Sequence, residues 1–68
     1  MNSILEGLDT AGKVKALLSA RGKNQPDLAT LLKVSLGTIQ NRFEKNDWYM
    51  EELKTIAKEF QIDINDLI

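Results

Sequence analysis

Apolar residues recur at helical spacing in four separate stretches of the chain. In the first, Val14, Leu17 and Leu18 stand at i, i+3 and i+4, with Lys13 and Lys15 off the stripe. This predicts an amphipathic helix over about residues 11–21, with Thr10 as its N-cap. Gly22, after Arg21, is a natural stop. The second stripe is Leu28, Ala29, Leu31 and Leu32. Asn24 caps it, and Pro26 and Asp27 sit in its first turn, where a missing N–H does no harm and an acid suits the macrodipole. The predicted helix runs from 25 to 32 or 33. Ser35 then caps a third, from Leu36 to about Glu44, with Ile39 and Phe43 inward. Met50, Leu53, Ile56, Ala57 and Phe60 form the stripe of a fourth, from about Tyr49 to Phe60. Trp48 before it is read as a plug over the third and fourth helices, with a stacking platform as the alternative. Asp63 caps one last turn with Ile64, Leu67 and Ile68. No alternating stretch is long enough to predict a strand. Residues 1–9, with Ile4, Leu5 and Leu8, are expected as an N-terminal arm or short helical turn beside a domain over 10–68.

Composition narrows what such a domain does. Its 68 residues make one domain, and 43% hydrophobic residues support one small core. There is no Cys and no His, which removes disulfides, thiolate metal sites, the commonest metal ligand and the commonest general base. Ser3, Ser19 and Ser35 therefore have no imidazole to activate them. Glu51 and Glu52 are adjacent in sequence and diverge on a helix. No glycine-rich phosphate loop is present. Neither an enzyme nor a metal or cofactor is expected. No apolar run reaches the ~20 residues of a membrane span, and the first residues do not read as a signal peptide. A small soluble intracellular domain is expected.

Two short helices joined by about three residues, with Ala29 on the first and Ile39 on the second, form a helix-turn-helix pattern. The run Gln25-Pro-Asp-Leu-Ala-Thr-Leu-Leu-Lys-Val-Ser-Leu-Gly-Thr-Ile-Gln-Asn-Arg-Phe-Glu44 resembles that of phage-type transcriptional regulators, the Cro and repressor N-terminal domain family. Val14 to Gly22 resembles the family's first helix, Trp48 to Phe60 its fourth, and Ile62 to Leu67 its short fifth. The likeness implies an all-α, lambda-repressor-like fold, a compact bundle of five short helices.

The resemblance also implies roles. Gln25 matches a glutamine that contacts a phosphate and braces the third helix, and Ser35 matches the cap of the recognition helix. Leu36, Gly37 and Asn41 match positions that face base edges, flanked by Thr38, Gln40 and Arg42. Asn41 or Gln40 suits adenine, and Arg42 suits guanine or phosphate. Lys23 and Lys45 complete the expected contact set. Lys33 stands where the family usually has Gly in the turn, and Arg42 where many members have an apolar residue, with Phe43 buried one position later.

The net charge of −1 hides an asymmetry. Residues 10–45 carry seven basic against two acidic side chains, and residues 46–68 carry two against six. The positive half coincides with the helix-turn-helix, as expected of a phosphate-facing surface. The expected function is a small Cro-like or repressor-type regulator that reads a double-stranded operator with helix 36–44. It is expected as a homodimer joined through the Ile64, Leu67 and Ile68 surface or the Ile4, Leu5 and Leu8 arm. The alternative is an antirepressor that uses the same surface to bind a partner repressor, for which Leu36 and Gly37 are better suited than for a groove.

Overall fold

The computed structural model describes residues 8–68, in which four α-helices are followed by a single 3-10 turn. The helices are α1 (Thr10–Ala20), α2 (Gln25–Leu32), α3 (Leu36–Lys45) and α4 (Met50–Phe60). Expected residues 1–7 of the arm lie outside the described residues.

Local caps set most of these limits. Asn24 Oδ1 accepts the Asp27 N–H at 2.9 Å and Asp27 Oδ2 accepts the Asn24 N–H at 3.0 Å, a reciprocal capping box that opens α2. Ser35 Oγ accepts the Thr38 N–H at 3.1 Å and opens α3. The cap of α1 is Asp9 and not Thr10. Its carboxylate accepts the Gly12 N–H at 2.8 Å, so Thr10 is already helical.

All four helices close on a left-handed residue: Gly22, Lys33, Asn46 and Gln61. After α1, α2 and α4 the chain makes the same reversal. Lys23, Val34 and Ile62 donate their N–H groups back to Leu18, Ala29 and Ala57. Val34 and Ile62 then fold onto the core, so each stop also contributes an apolar contact. Only the first stop uses glycine. Lys33, at φ 59°, holds the strained conformation expected at the turn.

The core draws on every element. Val14 and Leu18 of α1, Leu28 and Ala29 of α2, Ile39 of α3, Leu53, Ile56, Ala57 and Phe60 of α4, and Leu67 form one buried cluster. Leu17, Leu31, Leu32 and Phe43 pack against it, half-buried. Met50, expected inward, is 49% exposed. It is the first residue of α4, and the space beside Phe43 is filled by Trp48, whose ring stands edge-on at 5.0 Å. Trp48 is thus the expected plug.

The expected fifth helix is only a 3-10 turn, Ile64–Asp66. Asp63 Oδ1 takes the Asn65 N–H, and the Asp66 and Leu67 amides bond three residues back. One such turn secures too few hydrogen bonds to propagate a helix. Its product is the placement of Leu67, only 1% exposed, in the core. Leu67 is therefore not part of an outer apolar surface, while Ile68 is.

Candidate nucleic-acid interface

α2 and α3 are the most closely packed pair of elements, joined by Lys33, Val34 and Ser35. Ala29 and Ile39 are both buried where the expected close approach requires them. Ile39 is the only fully buried residue of α3, so most of that helix is available to solvent. At its start the Ser35 hydroxyl is shared between the Thr38 N–H and the Thr38 hydroxyl, 3.0 Å away. The Leu36 and Gly37 amides belong to the first turn, whose N–H groups have no helical acceptor and suit an anion.

Helical spacing arranges the outer face in rows. Gly37, Asn41 and Lys45 follow one another at i, i+4, and Leu36, Gln40 and Glu44 form the adjacent row. All six are exposed, Leu36 by 40%. Gly37 has open space around it: a methyl there would meet nothing closer than Ser35 Oγ at 3.8 Å. Its glycine is thus not demanded by the fold. Glu44 puts one negative charge on this face, a residue that sequence reading passed over. Its place in the row was readable from spacing alone.

The other expected contact residues divide. Thr38 is half-exposed and engaged with Ser35. Gln25 is half-buried at the first position of α2, with no hydrogen bond to its side chain among the described residues. Lys23 stands apart from α3, over a groove of about 280 Å³ shared with Asp27, Glu59 and Phe60. Lys33 borders another groove, with Glu51 and Glu52.

Arg42 departs most from expectation. Its Nε donates to Glu52 Oε1 at 2.9 Å and Oε2 at 3.1 Å, and the side chain is only 13% exposed. The guanidinium lies over the Tyr49 ring, 4.4 Å from its centroid. Its pKa is raised further, chiefly by the Glu52 hydrogen bond, against the opposing effect of burial. Arg42 therefore turns inward to α4, the side on which the resembled family carries an apolar residue. Glu52 and Tyr49, its partners, were not foreseen from sequence.

Among the described residues no group of acidic, His or Cys side chains is arranged to hold a metal ion, and no helix is long and apolar enough to cross a membrane.

An all-helical domain with a capped, outward-facing second helix on a short turn is a helix-turn-helix domain. The chain belongs to the family of bacteriophage CI repressor helix-turn-helix domains, whose model matches residues 12–68. This is a DNA-binding regulatory family and not an enzyme family. No curated protein and no solved structure matches the chain.

Proposed function

We propose that this domain is a sequence-specific regulator of Cro-like or repressor type that lays α3 in the major groove of an operator. The observation that carries the reading is the outer face of α3. It offers Asn41 and Gln40 for base edges, Lys45 for phosphate, and Gly37 as the point of closest approach. Ser35 and the first-turn amides lie where a phosphate meets the helix start. Direct readout by so few polar groups is modest, at about 1–3 kcal/mol for each good bidentate pair. Two copies on a two-fold operator, with half-sites about one helical turn apart, multiply it. Such a regulator works in the cytoplasm of a bacterial or phage-infected cell.

The second reading is a partner repressor in place of DNA. The 40% exposure of Leu36 and the charge of Glu44 on the same face favour it. One titration separates the two. The domain is titrated into duplex DNA from its own promoter region at ~50 and ~200 mM salt. A protein neutralising several phosphates loses affinity by orders of magnitude across that range. No binding at low salt, together with co-purification of a repressor, refutes the DNA reading.

A further inference from the structure

The outer face of α3 is useful only if the helix is held at a fixed roll and tilt, and α3 is anchored well on α2 and α1 but sparsely on α4. Inside the helix, Ile39 is fully buried and Phe43 half-buried. The tie across to α4 is made by side chains. Arg42 reaches from the last turns of α3 to Glu52, 10 residues later and 11% exposed. Glu52 Oε1 also accepts the Tyr49 N–H at 3.0 Å, so the same carboxylate opens α4. Tyr49 lies beneath the guanidinium, and Trp48 stands on Phe43. Arg42, Glu52 and the Tyr49 backbone thus form one hydrogen-bonded unit between the two helices.

We propose that Arg42 and Glu52 are positioning residues for DNA recognition: an ion-paired strut that fixes the angle of α3 without touching the duplex. The inference rests on the DNA reading above. Two features separate Arg42 from a phosphate contact. It is largely covered, whereas Gly37, Gln40, Asn41 and Lys45 are exposed. Its charge is already matched by a carboxylate within hydrogen-bond distance. A site that reads bases by close contact needs placement to about 0.5 Å and 10–20°. The end of α3 stays joined to α1 through the bond from the Ala11 N–H to Asn46 Oδ1. On release from α4 it can pivot about that bond and lose the placement while the helix itself persists.

The consequence for Glu52 has an unusual sign. On electrostatics alone, removing an acid from a DNA-binding domain tightens binding. A positioning role requires the opposite. The test uses Glu52→Gln, Arg42→Ala and the double variant, each confirmed folded by far-UV circular dichroism. Two labelled duplexes serve as probes: one selected from a random-sequence pool by the unmodified protein, and a scrambled duplex of equal length. Glu52→Gln keeps the size of the side chain and an oxygen for the Tyr49 N–H, so it carries the test even where Arg42→Ala does not fold.

The expected result is a loss of about ten-fold or more in affinity of E52Q for the selected duplex, with no loss on the scrambled one. That factor corresponds to about 1.4 kcal/mol. Arg42→Ala should show a similar loss with its salt slope retained, and the double variant should be no worse than either alone. A slope shallower by about 0.9 in R42A, with E52Q at or above the affinity of the unmodified protein, assigns Arg42 to a phosphate and overturns the proposal. Lower melting temperatures with unchanged affinity for the selected duplex reduce the pair to a fold contact and overturn it too. Failure of the unmodified protein to select or bind any duplex at low salt removes the DNA reading itself, and the strut with it.

Discussion

Replacing Gly37 by alanine should make the fold more stable and the proposed function weaker. The glycine lies inside α3, is exposed, and its backbone is ordinary helix. The added methyl would meet only Ser35 Oγ, at 3.8 Å, which is normal contact. Nothing therefore opposes the intrinsic gain of alanine over glycine, which at the second residue of α3 is at most the about 0.8–1.0 kcal/mol of a helix interior. In a domain this small such a gain raises the melting temperature by up to about 4–8 °C. At the interface the same methyl stands one turn before Asn41 on the row presented to DNA. Holding the helix off the base edges there weakens a contact of about 1–3 kcal/mol, a loss of about five-fold or more in affinity. Thermal unfolding followed by circular dichroism measures the first effect. Fluorescence anisotropy of a selected duplex measures the second. A variant that is more stable and binds as well as before would refute the orientation assigned to α3. A variant that is no more stable would refute the account of Gly37 as a glycine the fold does not need.

Other substitutions probe the frame. Lys33→Gly and Gln61→Gly should each stabilise the fold by about 0.5–1 kcal/mol and so raise the urea midpoint, because glycine adopts φ near +60° without the steric cost borne by a side chain. An unchanged or lower midpoint would show that these stops carry no strain. Ile39→Ala removes a residue with no exposed surface, at a cost of about 2–5 kcal/mol. Total stability at ~0.05–0.15 kcal/mol per residue is only about 3–10 kcal/mol for a chain of this length. The variant should melt about 8 °C or more below the unmodified protein by circular dichroism, and an unchanged melting curve would place Ile39 outside the core.

The helix ends were legible because their causes are local. Asn24, Pro26 and Asp27 announce α2 within a few residues, and Ser35 announces α3 in the same way. The left-handed turn at Lys33 was legible through a resemblance and not through propensity, since lysine gives no sign of it. The cap of α1 was missed by one residue because Asp9 and Thr10 are both competent caps side by side. The 3-10 turn was read as a helix because its cap and apolar residues are those of a helix, and only its length differs. For the site, spacing set Ile39 inward and Gly37 outward, and the resemblance picked out Gln40 and Asn41 beside Gly37. It could not show Arg42 turning inward. A long side chain at the edge of a helical face takes the direction of its best partner, and Glu52 belongs to the next helix.

The end of α3 is also fastened to the start of α1. Asn46, just past Lys45, accepts the Ala11 N–H on its Oδ1 at 2.8 Å. A little further along α1, Lys13 Nζ donates to the Ile68 carbonyl at 2.9 Å. Both ends of the described chain therefore converge on the first turns of α1, beside the exit of α3. A dye placed on Leu8 or on Ile68 would therefore crowd the edge at which α3 leaves the domain, so a label meant to leave the outer face of α3 undisturbed belongs elsewhere.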